Sequence, residues 1–317
     1  MKKLTILACA LGICCAQAAT ISPAYSTWYT VTDLGPIPGL PNQAGGMTFL
    51  AGDANTLLVA ANSQFSSGLI DSIGVVRDAG GHITGFSGSA TTFASAPYIG
   101  DSLVYGPGGI LFYTDQFDHA IGEIKPGSTS PDKLATFPFS VALEEGGVGF
   151  APAGFAGAGS LIVSNGHGQF CAPTMTADGL GTYNVATCTA GENIGGFAAG
   201  FAWVPSGSPG FSSPSMLVAG SPASALVGVF ALDANGLPLP GTDRLVTLDV
   251  GPLGATFDPL TNDFFFVKNN GIHWDVFEVQ GFAAPQQPGS VPEPATLAIC
   301  GACVLLLLAK SRRSTSC

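Results

Sequence analysis

The chain has 317 residues and a formal net charge of −11, and only 10% of its residues are charged, well below the about 25% of ordinary soluble domains. Gly (44) and Pro (23) are abundant, yet short runs of Phe, Val, Leu and Ile recur throughout. This combination favours a packed all-β protein with many turns over a disordered chain. Residues 20–290 hold five basic residues against 20 acidic ones, which excludes the basic surface that nucleic-acid binding requires.

Residues 1–19 have the organisation of a secretory signal peptide. Two lysines form the charged start, residues 4–15 form an apolar helical run, and Ala16-Gln17-Ala18 is a small-residue cleavage site. A buried first strand or helix is the alternative. A lipoprotein signal ending at Cys14 is disfavoured because the preceding Ile13 is bulky. We therefore expect an exported protein that begins near Ala19.

A loose repeat runs through the main region, residues 20–283. Each unit opens with a strand-like run that carries glycine or an aromatic residue, and further strand-like runs follow it after turns. The opening runs are 46–49, 102–105, 147–150, 200–203 and 254–257, and the second runs are 57–60, 110–113, 161–164, 216–219 and 263–267. The third runs are 73–78, 120–124, 169–177, 227–232 and 275–279, and the fourth runs are 82–86, 133–137, 182–187 and 244–248.

The fifth unit lacks a fourth strand, and this gap predicts how the domain closes. Residues 29–35 precede the first unit and have the character of the missing outer strand. Five four-stranded blades, with an N-terminal strand completing the last blade, describe a closed β-propeller without long exposed sheet edges. Six blades and an irregular β-sandwich are the alternatives.

Two cysteines lie in the main region, and their spacing predicts a disulfide. Cys171 and Cys188 are equidistant from a turn at residues 179–181, so an antiparallel hairpin folded there would place them on neighbouring strands. Export to an oxidising compartment permits the bond. Two free buried thiols are the alternative, and two cysteines are too few ligands for a metal site.

The main region contains no recognised catalytic motif. The four histidines (His82, His119, His167 and His273) fall in different units without metal-binding spacing. We therefore expect neither catalytic residues nor a metal or cofactor, and the domain is predicted not to be an enzyme.

The densest polar cluster leaves one alternative open, a calcium-type site. Asp115, Asp118 and His119 follow one second strand, and Asn62 and Asn165-Gly166-His167 follow the equivalent strands of other units. In a propeller such loops share a face, so they could form a polar pocket or hold a hard cation such as Ca²⁺. Alternatively, these side chains bond their own turns.

A hydrolase is the alternative function. Glu144-Glu145 is the one adjacent glutamate pair, and paired carboxylates perform glycoside hydrolysis. Neighbouring residues on a strand point to opposite faces, however, so a solvated loop is the favoured interpretation. A hydrolase acting on polysaccharide would need carboxylates converging in the channel, and a metal-dependent lactonase-like propeller would need several polar ligands on the axis.

The C-terminal segment combines three features in a fixed order. Residues 284–290 form a Pro- and Gln-containing linker, Val291-Pro292-Glu293-Pro294 follows, and residues 295–309 are an uncharged apolar run. As a helix this run is about 22 Å long, short for a transmembrane helix. Lys310, Arg312 and Arg313 then fix the helix end on the cytoplasmic side. A plain membrane anchor is the alternative.

This order resembles the PEP-CTERM sorting domain of Gram-negative bacteria, over residues 291–313. The resemblance implies that Val291, Pro292, Glu293 and Pro294 are recognised by an exosortase-type processing enzyme. It implies a transient stay in the inner membrane, followed by delivery to the cell surface or the extracellular matrix, where family members are associated with exopolysaccharide and biofilm. The sequence thus predicts an exported surface protein whose propeller is a non-catalytic binding or structural module.

Overall fold

The computed structural model describes residues 19–41, 43–136, 138–139, 146–188, 191–221 and 225–285, and these fold into five antiparallel blade sheets and one separate two-stranded hairpin. The N-terminal strands are β1 (Thr20–Ile21) and β2 (Thr30–Pro36). Blade 1 has β3 (Ala44–Leu50), β4 (Asp53–Ala61), β5 (Leu69–Arg77) and β6 (Ile83–Ser95), and blade 2 has β7 (Ile99–Tyr105), β8 (Leu111–Asp115), β9 (Ala120–Ile124) and β10 (Lys133–Thr136). Blade 3 has β11 (Val148–Phe150), β12 (Leu161–Ser164) and β13 (Gln169–Cys171), then the hairpin β14 (Met175–Ala177) and β15 (Tyr183–Val185), and finally β16 (Glu192–Asn193). Blade 4 has β17 (Phe201–Trp203), β18 (Ser215–Ala219), β19 (Leu226–Ala231) and β20 (Arg244–Thr247), and blade 5 has β21 (Pro252–Phe257), β22 (Phe264–Asn269) and β23 (Trp274–Gln280).

The sheets close into a ring, which confirms the five-bladed propeller. Each inner strand contacts the inner strands of the two neighbouring blades, and β21 returns to β3. Strand β2 pairs antiparallel with β23, from Thr30 opposite Gln280 to Pro36 opposite Asp275. The N-terminal strand therefore supplies the missing fourth strand of blade 5, as the sequence predicts.

The hydrophobic core consists of five clusters, one between each pair of neighbouring blades. Strand alternation produces this arrangement, because successive side chains point to opposite faces of a sheet. Phe264 and Phe266 pack toward blade 4, whereas Phe265 and Val267 pack toward blade 1. Both faces of each central strand are buried, and this accounts for the continuous apolar runs in the sequence.

Hydroxyl side chains at the ends of second strands join successive blades. Ser63 donates to the carbonyl of Ile99 at 3.0 Å, and Thr114 donates to the carbonyl of Gly146 at 3.1 Å. Both donors are fully buried, so each bond satisfies backbone that water cannot reach. These bonds help to fix the angle between neighbouring blades.

Blade 3 departs from the predicted strand order. Residues 182–187 do not form its fourth strand: β15 pairs with β14 in a separate hairpin, and the outer strand is β16. Pro173 has no backbone N–H, so it cannot continue the ladder beyond Cys171, and the chain leaves the sheet. Cys171 and Cys188 flank this hairpin and form a disulfide with a Cα–Cα distance of 6.2 Å.

Blade 4 has a fifth strand that the sequence did not predict, because β1 pairs with β20. Residues 1–18 of the predicted signal peptide (1–19), the glutamate pair 144–145 and the C-terminal segment from residue 286 lie outside the described residues. Within the described ranges, no helix has the length and apolar character needed to cross a membrane. The predicted signal and transmembrane helices remain predictions.

Candidate functional site

A cavity of about 390 Å³ opens at the carboxyl ends of the five inner strands, and we call it the axial pocket. Every blade contributes its inner strand to the wall. The lining comprises Thr48, Ser102, Leu103, Val104, Val148, Gly149, Phe150, Pro152, Ala153, Phe155, Phe201, Ala202, Trp203, Pro205, Ser206, Ala255, Thr256, Phe257 and Asn262. The pocket therefore lies at one mouth of the propeller channel, where polar groups from all blades can reach one ligand.

The glycine at the start of the inner strands explains why this channel is narrow at one end and open at the other. A Cβ on Gly200 would lie 2.6 Å from backbone atoms of blade 5, so only glycine permits this approach. Three residues further on, the repeat places an aromatic side chain: Phe150, Trp203 and Phe257 occupy equivalent positions in blades 3, 4 and 5. The recurring Gly-x-x-aromatic pattern thus closes one end of the channel and lines the other.

Contacts between neighbouring blades hold the aromatic wall in place. Phe201 and Trp203 lie on one face of β17, with ring centroids 5.5 Å apart in an edge-to-face arrangement. They pack over Gly149, where an added Cβ would lie 2.9 Å from Phe201 and 3.0 Å from Trp203. Gly149 therefore allows the blade 4 rings to lie directly against blade 3.

The polar groups of the axial pocket are uncharged. Among the described residues, its lining contains hydroxyls (Thr48, Ser102, Thr256 and Ser206) and the amide of Asn262, but no Asp, Glu, His, Lys or Arg. The indole nitrogen of Trp203 is buried and has no hydrogen-bond partner in the described part of the chain. A buried donor without an acceptor costs about 1–3 kcal/mol.

A cluster of ionisable side chains lies on the same side of the ring, between blades 1 and 5, and we call it the junction cluster. It consists of His82, Asp263 and Glu278, whose nitrogen and oxygen atoms lie within 4.8 Å of one another. Nδ1 of His82 is 2.6 Å from Oδ2 of Asp263. Asp263 directly follows Asn262 of the axial pocket along the chain.

Burial and neighbouring charges shift the pKa values of side chains in the junction cluster. Burial and, to a smaller extent, the nearby Asp263 carboxylate raise the pKa of Glu278 to about 7, against the opposing hydrogen bonds from Gln280 and the Ile83 N–H. The hydrogen bond to Asp263 raises the pKa of His82, and partial burial opposes it. Two carboxyl groups in contact favour the retention of one proton between them.

A buried ion pair lies beside the junction cluster. The guanidinium of Arg77 contacts both carboxylate oxygens of Asp258, at 2.5 and 3.2 Å. The same guanidinium also donates to backbone carbonyls of Ala54 and Gly81. The hydrogen bonds of Arg77 thus connect the outer turn of blade 1 to blade 5, and none of these bonds is made to Asp263 or Glu278.

The polar residues predicted from the sequence lie in turns at the opposite end of the ring, after second strands. Oδ1 of Asp115 accepts the N–H of Asp118 at 2.9 Å, and Oδ1 of Asn165 accepts the N–H of His167 at 3.1 Å. The amide of Asn62 donates to the carbonyl of Ser67. Burial raises the pKa of Asp115 to about 6. These contacts favour the turn interpretation over a shared calcium pocket.

Sequence reasoning missed the junction cluster for a simple reason. Asp263 and Glu278 are more than 180 residues from His82 in the chain, and no spacing rule connects them. They meet only because the ring closes between blades 5 and 1. The axial pocket did carry a sequence signal, namely the glycine and aromatic residues that open the repeat units.

Comparisons with known proteins find similarity to solved structures alone. No family model and no curated protein sequence matches the chain. Among solved structures, it is similar to a gluconolactonase from Xanthomonas campestris (13% identity, TM-score 0.44, covering 83% of this chain and 94% of that chain). It is also similar to the calcium structure of a carbohydrate-active enzyme of family AA12 from Trichoderma reesei (10%, 0.46, 83% and 97%) and to the PQQ-bound aldose sugar dehydrogenase of Streptomyces coelicolor (12%, 0.40, 78% and 82%).

These matches correct one sequence-based prediction. The described neighbours are enzymes, which contradicts the prediction that the domain is not one. At this level of identity the similarity shows the propeller fold alone, because one fold supports many activities. The chemistry of this chain must therefore be argued from its own residues.

Proposed function

We propose that the domain is a hydrolase that binds an uncharged, ring-containing substrate of the carbohydrate class in the axial pocket. The observation that carries this proposal is the composition of the pocket wall. Aromatic side chains (Phe150, Trp203 and Phe257) and hydroxyl groups (Thr48, Ser102 and Thr256) line the same cavity. A sugar ring offers C–H faces for the aromatic side chains and hydroxyl groups that can exchange hydrogen bonds with the Thr and Ser side chains.

The absence of charge from the pocket lining selects for neutral substrates. A charged ligand would lose its hydration on entering a wall built from Phe150, Phe257 and their neighbours, with no opposite charge to compensate it. The volume, about 390 Å³, falls within the about 300–1,000 Å³ of small-molecule sites. The pocket thus suits one or two sugar rings of a neutral chain.

Hydrolysis also requires a group that activates water, and the pocket lining contains none. Three carboxyl residues directly neighbour lining residues along the chain: Asp101 beside Ser102, Asp258 beside Phe257 and Asp263 beside Asn262. Asp258 is paired with Arg77, whereas Asp263 belongs to the junction cluster. The two carboxyl groups of this cluster converge, as paired carboxylates do in glycoside hydrolysis, but they lie between blades 1 and 5 and not in the channel where the sequence-based alternative places them. We therefore assign substrate binding to the axial pocket and water activation to the junction cluster.

Tryptophan fluorescence tests the binding step. Neutral oligosaccharides and sugar lactones titrated into the purified protein should change its emission, and Trp203→Phe should weaken binding about 3- to 10-fold, since the smaller ring loses aromatic contact worth about 0.5–1.5 kcal/mol. Trp28→Phe is the matched control, because Trp28 is an exposed tryptophan that does not line the pocket. Equal effects of the two substitutions would refute the assignment of the pocket.

Turnover of the same compounds tests the reaction class. Release of reducing sugar or ring-opened acid, measured for the natural protein and for Trp203→Phe, should fall in the variant through a higher KM. Saturable binding at Trp203 without any hydrolysis of these compounds would refute the hydrolase proposal while leaving the binding site in place.

We further propose that the protein is exported and sorted through its C-terminal signal. The support is the order of signal peptide, Val291–Pro294 motif, apolar run and basic cluster in the sequence. In a host that carries an exosortase-type enzyme, Glu293→Ala should block processing and surface delivery, whereas Gln287→Ala in the linker should not. Unchanged processing of Glu293→Ala would remove the basis of this proposal.

A further inference from the structure

We propose that His82, Asp263 and Glu278 bind a divalent transition-metal ion at the junction of blades 1 and 5. His82 precedes β6 at the outer turn of blade 1, Asp263 precedes β22, and Glu278 lies in β23. Three potential ligand atoms, one from each side chain, lie within 4.8 Å of one another. Three different segments therefore converge on one point.

The donor set selects the type of metal. One imidazole nitrogen and two carboxylate oxygens suit Zn²⁺ or Mn²⁺. Ca²⁺ takes about six to eight oxygen ligands, and the junction cluster offers fewer oxygens and a nitrogen instead. The proposal therefore differs from the calcium site that the sequence suggested at Asp115 and Asn165, in both position and ligand chemistry.

Small side-chain movements would accommodate the ion. Ligands at about 2.0–2.1 Å from a tetrahedral metal lie about 3.3 Å apart. The 2.6 Å contact between His82 and Asp263 would have to open by somewhat less than 1 Å, with the metal replacing the proton between them. Rotation of the His82 ring can supply this movement, because its side chain is 34% exposed.

The surroundings of the cluster favour a cation. Asp263 and Glu278 are almost fully buried, and Asp78 lies close enough to His82 to act on it electrostatically. The neighbouring Arg77 is engaged by Asp258. A divalent ion would balance buried negative charge that the histidine alone balances only in part.

The exposure of His82 also leaves one side of the site open. Three protein ligands with an open position are typical of catalytic metal sites, in which water completes the coordination. Such a water is acidified by the metal and can serve as a nucleophile near neutral pH. This use of the ion rests on the proposed hydrolase function, whereas the binding of the ion does not.

Calorimetric titration of the chelator-treated full chain with Zn²⁺ or Mn²⁺ alone tests the site. We expect one ion per chain for the natural protein, and at least a tenfold weaker affinity for His82→Gln and Glu278→Gln. His273→Gln is the matched control, because His273 forms a similar pair with Asp275 at 2.8 Å in another part of blade 5. Circular dichroism verifies that each variant is folded, and His82→Gln is the decisive variant because its side chain is partly exposed.

Several results would overturn the proposal: no binding by the natural protein, binding by His82→Gln as tight as by the natural protein, or equal loss in His273→Gln. A Co²⁺-substituted sample gives a second readout, since visible absorption that is absent in His82→Gln requires the imidazole as ligand. Ion binding without sugar binding or turnover would refute only the hydrolase. Sugar binding and turnover in chelated protein would refute only the use of the ion in hydrolysis, whereas the titration itself decides whether the ion binds.

Discussion

Glu123→Gln provides a direct test of how a buried carboxyl group affects this propeller. Glu123 lies in β9 and is fully buried. Its Oε2 accepts the backbone N–H of Tyr183 at 2.9 Å, and its Oε1 has no partner in the described residues. Glutamine has the same shape and can accept the same N–H, but it cannot ionise. The substitution therefore removes titration while keeping the packing.

The expected magnitude follows from the change in the pKa of Glu123. Burial raises this pKa from its ordinary value of 4.5 to about 7, and the Tyr183 N–H and Lys133 oppose the change. One pKa unit corresponds to about 1.4 kcal/mol, so the change in the pKa of Glu123 on folding contributes about 3 kcal/mol to the stability of the protonated form. Because the folded-state pKa is raised, this stability is fully present below pH 4.5 and is lost as the pH rises through about 7.

Urea unfolding between pH 4.5 and pH 8 measures the effect. The free energy of unfolding of Glu123→Gln minus that of the natural protein should be about 1–3 kcal/mol larger at pH 8 than at pH 4.5. Glu192→Gln, at a partly exposed glutamate of β16, is the control and should change much less with pH. If Glu123→Gln shifts the free energy of unfolding equally at both pH values, the argument from burial is refuted.

Two further substitutions test the fold. Gly200→Ala should destabilise the domain by about 3 kcal/mol or more, because its Cβ would meet backbone atoms of blade 5 at 2.6 Å and backbone cannot rotate away. Gly74→Ala is the control, because the nearest atoms lie at 3.5 Å, and it should cost less than about 1 kcal/mol. Similar thermal unfolding of the two variants would contradict the role of Gly200 in the close contact between blades. Replacing Cys171 and Cys188 together by serine should lower the free energy of unfolding by about 3 kcal/mol, as expected for a loop of 17 residues. The natural protein should fall to the same free energy of unfolding under reducing conditions. An unchanged unfolding midpoint would show that the stability of the domain does not depend on the disulfide.

The repeat was readable from the sequence because each strand carries its own local pattern. Apolar runs such as residues 57–60 and 216–219 are separated by turn residues, and both correspond to second strands in the structure. The missing strand of the last unit predicted closure by residues 29–35. Strand β16, only Glu192–Asn193, carries too short a pattern to be recognised, so the outer strand of blade 3 was misplaced.

The sequence by itself determined the all-β class, the number of blades, the closing strand and the aromatic positions of the inner strands. These features depend on local alternation and on spacing that repeats along the chain. Only the tertiary structure decided where chemistry can occur. His82, Asp263 and Glu278 meet because the last blade closes against the first, and residues of all five inner strands line one pocket. Convergence of distant residues depends on ring closure, which no local pattern encodes.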